Sequence, residues 1–432
     1  MFLLKKIFSN QLIKVASLNS ISIFIRVLTG IISSKAIAYF IGASGMALMG
    51  NFRNFISSIE SIGILGLNNG IIKTVAEKSN DREEIYPLIT TILYFVFFLG
   101  TIIGIVIFVF SNKISNYLFN TIEYSIVIQI LAILLPFQII NTVLIIILNG
   151  LRTYKKVIIL TILTYLIGVI LSVYLMWNFK VLGALFSVSI LSIIVFFITL
   201  YFFSKEISIK RILNFKKFKI ELIYKILPLG MMTLFSAVIV PIIYINIRKY
   251  IIQFDSLEAA GYYESMNRIS GFYMIFITTL INLYFLPELS KAETVKETKS
   301  IFIQYYKHII PIFTLGLIFI FFTRNCIVKL LLTSDFLPVN KLFIWQLLGD
   351  LFRSLSLILG IQFFAKKMIK PYFIIEFFSL VILIISSYFC IRLFRVEGAV
   401  ISYAITYFIY FIVLVFFFKK YLQINTQLNE KR

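Results

Sequence analysis

Residues 86–110 read YPLITTILYFVFFLGTIIGIVIFVF, a run of 25 residues without a charged side chain. A helix needs about 20 mostly apolar residues to cross the hydrocarbon core of a bilayer. The whole chain has 432 residues, 60% hydrophobic and 14% charged, with a mean hydropathy of +0.98. Soluble domains have about 45–50% apolar and about 25% charged residues. The sequence therefore predicts an all-helical protein that crosses a membrane many times, and it excludes a soluble enzyme, a coiled coil and a disordered chain.

Twelve segments of the chain are long and apolar enough to be transmembrane helices. They are residues 16–40, 52–76, 86–110, 125–148, 157–177, 181–203, 227–247, 259–285, 303–322, 342–365, 372–390 and 398–418. The first, second, eighth and tenth carry more polar residues than the others. Polar groups are costly inside a membrane, so these four segments are the candidates for a functional role.

Positive charge is in excess, with 41 Lys and Arg against 19 Asp and Glu and a net charge of +22. Most of it lies between the apolar segments rather than along one soluble face, so we interpret it as topology information and expect no nucleic acid partner. With a cytoplasmic N-terminus, 26 basic residues fall in cytoplasmic segments and nine in external ones. The positive-inside rule therefore predicts that both termini are cytoplasmic.

Three weak motifs recur in the two halves of the chain. Val181-x-Gly183-Ala184-x-x-Ser187 recurs as Val396-x-Gly398-Ala399-x-x-Ser402 at an offset of 215 residues. Gly45 with Asn51 recurs as Gly261 with Asn267 at an offset of 216. Lys155-Lys156 recurs as Lys366-Lys367 at an offset of 211. Each half contains an even number of spans, which makes the repeat parallel. We therefore predict two six-helix lobes, residues 1–203 and 226–432, joined by a basic cytoplasmic linker at 204–225.

Two such lobes are an architecture of transporters, whose substrate sites lie near the membrane midplane. The sequence holds no nucleotide-binding signature and no cluster of catalytic or metal-ligating residues, so we predict no catalytic residue, no metal and no cofactor. A membrane glycan polymerase is the enzymatic alternative. Its catalytic loop has no counterpart here, because the longest external segment, 323–341, is short.

Apart from Lys307, which lies at the cytoplasmic start of its span and is counted with the cytoplasmic residues, ten charged residues lie inside the predicted spans. Each costs roughly 2.5–3.5 kcal/mol there and must face protein or water. They are Arg26, Lys35, Arg53, Lys73, Arg268, Arg353, Glu60, Glu264, Asp350 and Glu376. Their net charge is +3 in the first half and −1 in the second. The surplus positive charge predicts an anionic ligand that compensates it.

Arg26 and Arg53 are the residues that we expect to bind phosphate oxygens, because a guanidinium binds them bidentately and stays charged. Lys35 and Arg268 complete the predicted substrate-binding set. Lys35 lies nine residues after Arg26, on the opposite face of a straight helix, so it joins Arg26 only if the helix bends at Gly30. Its alternative role is to extend toward the membrane interface.

The remaining site candidates are polar or acidic. Predicted cavity-lining residues are Asn51, Asn54, Ser58, Asn68, Asn267 and Gln346. Glu60, Glu264 and Asp350 are candidates for coupling transport to an ion. The alternative is that Glu264 pairs with Arg268 and Asp350 with Arg353 inside their own helices, where they lie four and three residues apart.

Several stretches resemble the Wzx-type O-antigen flippases, in particular the enterobacterial common antigen (lipid III) branch, in the superfamily that includes MATE multidrug exporters. They are Gly42-Ala43-Ser44-Gly45, Gly50-Asn51-Phe52-Arg53-Asn54-Phe55, Gly66-Leu67-Asn68-Asn69-Gly70-Ile71-Ile72-Lys73, Ala260-Gly261-Tyr262-Tyr263, Leu286-Pro287-Glu288-Leu289-Ser290 and Trp345-Gln346-Leu347-Leu348-Gly349-Asp350. The similarity is collinear over residues 16–420.

The resemblance implies a MATE-like transporter in the bacterial inner membrane. It would move an undecaprenyl-diphosphate-linked oligosaccharide from the cytoplasmic to the periplasmic leaflet, by alternating access through a cationic central cavity. Arg26 and Arg53 match cavity cations of the family, and Arg268 resembles an eighth-span cation. Implied partners are membrane lipids, a glycan polymerase and a chain-length regulator. The alternatives are a multidrug or small-cation exporter, whose cavity should be acidic, and a structural scaffold.

Overall fold

The computed structural model describes residues 11–79 and 81–430, and every regular element in that part of the chain is helical. This confirms the predicted all-helical fold class. Within the described residues, nine helices are long and apolar enough to cross a membrane, or ten if one bent pair of helices counts as a span. The protein is therefore a multi-pass membrane protein.

The first of two compact units comprises the described residues up to Ile41 together with Leu48–Ile242. Its helices are α1 (Gln11–Phe40), α2 (Gly42–Ile64, from Leu48), α3 (Asn68–Lys78), α4 (Arg82–Val109), α5 (Ser111–Phe119), α6 (Ser125–Gly150), α7 (Tyr154–Ser204), α8 (Ile209–Ile212) and the first part of α9 (Glu221–Phe254). The predicted linker segment follows α7 and packs within this unit, whose boundary falls inside α9.

The second compact unit comprises Gly42–Ala47 and the described residues from Ile243 onward. After the end of α9 it contains α10 (Leu257–Leu280), α11 (Leu286–Lys291), α12 (Val295–Gln304), α13 (Ile310–Leu331), α14 (Phe343–Ala365) and α15 (Ile369–Glu430). π-Helical turns at Ile281–Phe285 and Tyr305–Ile309 join α10 to α11 and α12 to α13, and 3-10 turns cover Ser334–Leu342.

The second predicted span is broken rather than straight, because α2 and α3 meet at an angle of 43°. Helix α2 ends at Leu65, which adopts a left-handed conformation with φ of 52°, and Gly66 follows with φ of 63°. The positive φ favours glycine at position 66, and close packing is a second reason for glycine there. A Cβ there would lie 2.5 Å from the carbonyl oxygen of Gly230 in α9, so only glycine allows this close approach.

Two of the long helices are each broken at one residue. Lys180 in α7 has φ of 50° and ψ of −127°, and Arg395 in α15 has φ of 55° and ψ of −140°. If α7 and α15 are divided there, and α2 with α3 is counted as one span, the described helices agree with the twelve predicted spans. The two breaks lie 215 residues apart, which is the offset of the sequence repeat.

The surroundings of the two breaks repeat as well. Ser172 and Ser187 in α7 have their hydroxyl oxygens 3.0 Å apart, and those of Ser387 and Ser402 in α15 are 2.9 Å apart. Both serine pairs bridge the segments before and after the break. The motif that ends in Ser187 in one half and in Ser402 in the other therefore has the same structural role in both: its serine bonds across the helix break. This is what a parallel repeat predicts.

The turns before α7 and α15 repeat at the same offset. Arg152 has φ of 60° and Lys367 has φ of 52°. In each turn the next amide donates back five residues, from Thr153 to Leu148 (3.1 Å) and from Met368 to Phe363 (2.8 Å). Arg152 is thus the structural counterpart of Lys367, and the similarity between the two Lys-Lys pairs at an offset of 211 is not the true register.

Gly183 and Gly398 provide a test of these breaks. A Cβ on Gly183 would lie 1.9 Å from the carbonyl oxygen of Leu175, and one on Gly398 would lie 2.1 Å from that of Cys390. We expect Gly183→Ala and Gly398→Ala each to lower stability by about 1–3 kcal/mol, because backbone must move to admit the methyl group. The measurement is the loss of monodisperse protein after heating in detergent.

Gly316→Ala is the matched control for these variants, because nothing lies within 4 Å of a Cβ at that position. It should melt at the wild-type temperature or slightly above, since alanine favours a helix. If Gly183→Ala and Gly398→Ala melt together with Gly316→Ala, the close packing at the breaks does not contribute to stability.

Candidate functional site

Arg26 lies on the polar face of α1. The side chain is exposed, and Ser22 and Thr29, four residues before and three after it, are buried on the same helix face. The exposed apolar face lies opposite and carries Ile21, Phe24, Leu28, Ile32 and Tyr39. Among the described residues, no acidic group lies within the 4.0 Å ion-pair distance of Arg26. Arg26 is therefore exposed on the helix face opposite the exposed apolar residues.

Lys35 does not share the face of Arg26. Its side chain is exposed among the apolar residues Leu28, Ile32 and Tyr39. Nine residues correspond to two and a half turns, and α1 continues through Gly30 as regular helix, so the bend that would unite the two cations is absent from this described helix. The expectation that Lys35 joins Arg26 is thus corrected, and the exposed apolar face favours its alternative role at the membrane interface.

The polar residues of α2 and α3 divide into two groups. Asn51 is fully buried and its Nδ2 donates to the carbonyl oxygen of Leu118 at 2.8 Å, while the Ser58 hydroxyl donates to that of Val238 at 3.1 Å. These two side chains stabilise helix packing. Arg53 and Asn54 are half-buried, and Asn68 is exposed at the start of α3. Of these predicted site residues of α2 and α3, Arg53, Asn54 and Asn68 are therefore accessible.

Glu60 is bonded to an amide rather than to a cation. The Nε2 atom of Gln138 on α6 donates to its Oε1 at 2.6 Å, and Gln138 is buried. Glu60 lies seven residues after Arg53 in the same helix, but no ion pair within 4.0 Å joins these two described residues. A neutral amide satisfies hydrogen bonds without cancelling the negative charge.

In the second unit, one carboxylate lies between two guanidiniums. Glu264 on α10 accepts from Arg248 Nη1 at 2.8 Å and lies 3.5 Å from Arg268 Nε, with Asn267 half-buried beside them. Arg248 is 1% exposed and lies inside α9, although the predicted span 227–247 ends one residue before it. The apolar Tyr250-Ile251-Ile252 that follows was the signal that the helix continues.

Asp350 on α14 occupies a cage of neutral donors. It is fully buried, and its carboxylate accepts from the hydroxyls of Ser270 (2.7 Å), Tyr273 (2.5 Å) and Tyr403 (2.8 Å). Gln346 Nε2 lies 3.3 Å away. Two helices supply the serine and tyrosine donors, α10 and the last part of α15. Gln346 therefore serves the carboxylate rather than an open surface.

Arg353 does not form the predicted ion pair with Asp350. Its Nη1 lies 3.4 Å from the Tyr403 hydroxyl, which separates it from the carboxylate, and its guanidinium lies over the ring of Tyr407 at 5.7 Å. No ion pair within 4.0 Å joins Arg353 to Asp350 in the described part of the chain. The reason is that the Tyr403 hydroxyl bonds to both the Asp350 carboxylate and the Arg353 guanidinium.

Three tyrosines of α15 contact the charged residues of the second unit, and the sequence analysis missed them. Tyr403, Tyr407 and Tyr410 recur at steps of four and three, so they share one face of α15, and the Tyr410 hydroxyl donates to Glu376 at 3.2 Å. Their helical spacing was the signal that could have identified an inward-facing set.

A family model described as "Polysaccharide biosynthesis protein" matches residues 38–341, which is more than half of the chain. The chain belongs to this family. Lipid III flippases of Escherichia coli (strain K12) and Shigella flexneri are each 24% identical to this polysaccharide biosynthesis protein over 402 residues, covering 93% of the chain and 96% of the relative. These matches confirm the predicted resemblance to Wzx-type flippases.

Solved structures share the fold of this polysaccharide biosynthesis protein. An inward-facing multidrug resistance MATE family transporter of the MOP superfamily has a TM-score of 0.81 at 14% identity, covering 93% of this chain and 96% of that one. The lipid II flippase MurJ in an inward closed conformation has a TM-score of 0.73 at 18% identity, covering 94% and 87%. The MATE-like fold is thus confirmed, and it is a fold that serves both exporters and flippases.

The Arg248–Glu264 pair allows a test of the buried charges. We expect Glu264→Gln to destabilise the protein by about 3–5 kcal/mol, because it leaves Arg248 buried without a carboxylate. Arg248→Met combined with Glu264→Gln should recover part of this loss. The measurement is thermal unfolding of the single and double variants in detergent.

The exposed pair Lys73–Glu77, whose charged atoms lie 3.8 Å apart, is the matched control. Glu77→Gln should leave the unfolding temperature almost unchanged, because exposed pairs contribute little. Equal effects of Glu77→Gln and Glu264→Gln would contradict a structural role for the buried pair.

Proposed function

We propose that this protein is a flippase that moves an undecaprenyl-diphosphate-linked oligosaccharide across the bacterial inner membrane, from the cytoplasmic to the periplasmic leaflet. The observation that carries the proposal is Arg26, an accessible cation on the polar face of an otherwise apolar spanning helix, with no acidic group in ion-pair distance among the described residues. The relatives named as lipid III flippases support it.

Arg26 and Arg53 are the proposed contacts of the diphosphate. Each guanidinium can donate two parallel hydrogen bonds to phosphate oxygens, and the charge replaces the hydration that the headgroup loses. Lys35 lies on the apolar face of α1 and is left out of this set. Arg268 is held by Glu264 at 3.5 Å, so it contributes only if that ion pair opens.

The glycan requires neutral donors and acceptors. Asn54 and Asn68 of the first unit are accessible, and we propose them as sugar contacts. Asn267 of the second unit is half-buried and is a separate candidate. Asn51, Ser58 and Gln346 are left out, since the first two bond to backbone carbonyls and the third to Asp350.

A multidrug or small-cation exporter is disfavoured by the sign of the charge at Arg26. A cationic drug would be repelled by an accessible guanidinium, whereas a diphosphate is attracted to it. The MATE structural neighbours support the fold and do not identify the substrate. We further propose that the protein is a transporter without enzymatic activity.

The topology and partners belong to the same proposal. Both termini face the cytoplasm, as the excess of basic residues in the predicted cytoplasmic segments favours. Lobes 1–203 and 226–432, joined by 204–225, alternate between inward-open and outward-open states. A glycan polymerase and a chain-length regulator consume the product outside and thereby draw the transport forward.

Substituting Arg26 tests the diphosphate contact. We expect Arg26→Ala to lower surface glycan by about tenfold or more in the source bacterium after deletion of its own copy, because a charge-assisted bidentate contact is lost. Arg26→Lys should retain part of the activity. The measurement is surface glycan per cell at equal expression.

Lys35→Ala is the matched control, because it removes a cation from the same helix on the opposite face. It should display nearly wild-type glycan. Normal display with Arg26→Ala, or an equal loss with Lys35→Ala, would refute the assignment of the phosphate-binding face.

We propose Asp350 as the carboxylate that couples transport to an ion gradient. Its cage consists of hydroxyls and an amide, without a fixed cation in ion-pair distance among the described residues, so its charge is free to respond to a proton or a sodium ion. Glu264 lies between two guanidiniums and is less suited, and Glu60 remains a second candidate.

The coupling proposal predicts that Asp350→Asn abolishes the response of transport to a pH or sodium gradient in proteoliposomes, while the rate without a gradient persists. Flipping of a fluorescent polyprenyl-diphosphate glycan is the measurement. Glu288→Gln, on α11, where the side chain is 45% exposed, is the control and should keep the response. A wild-type gradient response in folded Asp350→Asn would exclude this residue.

A further inference from the structure

An apolar groove of about 280 Å³ lies in the first unit. Its volume is close to the lower end of the range of about 300–1,000 Å³ that small-molecule sites occupy. Helices α4, α6, α7 and α8 and the residue after α8 supply its walls. The lining side chains are Leu93, Tyr94, Phe97, Ile140, Leu144, Phe196, Leu200, Phe203, Ile209, Ile212 and Leu213.

The only hydroxyl in this lining is already bonded. Tyr94 donates to the carbonyl oxygen of Leu213 at 2.9 Å. The groove therefore offers no free polar side chain to a peptide backbone or a sugar, which would lose hydrogen bonds on entering it. A hydrocarbon chain is the ligand that such a surface accommodates without this cost.

The segment after α7 is fixed over one end of the groove. Thr90 donates to the carbonyl oxygen of Ile212 at 3.0 Å, and the amide of Lys219 donates to the Thr91 hydroxyl at 2.9 Å. The ring of Phe215 packs edge-on against Tyr94 at 5.2 Å. The segment thus holds a definite position on α4, which gives the groove a defined rim.

This rim is strongly basic. Its cations are Lys205, Lys210, Arg211, Lys216, Lys217 and Lys219, of which all but the half-buried Lys217 are exposed. The one acid among residues 204–219, Glu206, is neutralised by Lys156 at 2.5 Å. A net positive rim beside an apolar groove matches a molecule with an anionic head and a hydrocarbon tail.

The same segment presents apolar side chains outward. Leu213 is 65% exposed and Phe215 is 57% exposed, and on α7 the nearby Phe197 and Tyr201 are exposed as well. Apolar and basic residues that alternate in this way are typical of segments that lie at the boundary between headgroups and acyl chains. The groove therefore opens where a membrane lipid is available.

We propose that this groove binds one acyl chain of an anionic phospholipid, whose phosphate contacts the basic rim formed by residues 205–219. The apolar lining accounts for the chain, and the surplus of positive charge accounts for the preference for an anionic headgroup over a zwitterionic one. The bound lipid fastens the segment after α7 to the first unit. The site is separate from Arg26 and Arg53, and the proposal does not depend on the transported substrate.

Native mass spectrometry of the detergent-solubilised full chain tests the proposal. Phosphatidylglycerol and phosphatidylcholine with identical acyl chains are titrated separately. We expect one phosphatidylglycerol to bind at least about fivefold more tightly than phosphatidylcholine, because each basic residue near an anionic lipid contributes an attraction. Equal affinity for the two lipids would overturn the proposal.

Two variants address the two parts of the site, each with a matched control. The double variant Lys216→Gln/Lys217→Gln should lower phosphatidylglycerol affinity by about fivefold or more, whereas Lys296→Gln/Lys299→Gln, on α12, removes the same charge elsewhere and should not. Leu200→Trp fills the groove and should lower the affinity for both lipids, whereas Leu315→Trp, at an exposed position of α13, should not.

The outcomes separate the alternatives. If both double lysine variants reduce binding equally, the attraction is a general effect of charge and the proposed rim is wrong. If phosphatidylglycerol binding survives Leu200→Trp in monodisperse protein, the chain does not enter the groove, and a peptide segment becomes its better occupant. Arg26→Ala should bind phosphatidylglycerol like the wild type, which keeps this result independent of the flippase proposal.

Discussion

A charge inside a bundle of apolar helices is stable only where a partner or water replaces its lost hydration, and this constraint divides the polar residues of the protein into two groups. Glu264 binds two guanidiniums and Asp350 binds three hydroxyls, so both are satisfied within the second unit. Arg26 is different, because its side chain is exposed on a helix face that otherwise packs. The first group maintains the fold, and the exposure of Arg26 is the reason that we propose it as a ligand contact.

The buried carboxylates of Glu264 and Asp350 have different kinds of partner, so they differ in how readily each could lose its negative charge. Glu264 has fixed positive partners, including the almost fully buried Arg248, so losing its charge would leave a cation uncompensated. Asp350 has only neutral donors in direct contact, and its nearest guanidinium, on Arg353, reaches Tyr403 instead. Hydroxyls can accept as well as donate, so the cage can adapt to a change at the carboxylate.

Much of the fold could be predicted from the sequence, because it depends on signals along one helix. Apolar length predicted the spans and separated 157–177 from 181–203 and 372–390 from 398–418, and the structure places the breaks at Lys180 and Arg395 between them. The partners in the site could not be predicted in the same way. Spacing within a helix favours the pair Asp350–Arg353, but Tyr403 arrives from a helix 53 residues later and separates them. A hydrogen-bond partner that comes from a distant segment cannot be predicted from the spacing of residues within one helix.

The repeat and the charges follow different rules. Both halves share a left-handed turn, a broken long helix and a serine pair that bridges the break, all at an offset of 215 residues. These features depend on backbone geometry, which is the same in the two repeats. The charges have no such correspondence. A backbone break can be duplicated without cost to function, whereas a mobile anion needs accessible cations and a coupling ion needs a carboxylate. Duplicated helices with unlike charges therefore fit the proposal that the substrate's diphosphate and a coupling ion bind to different halves of the fold.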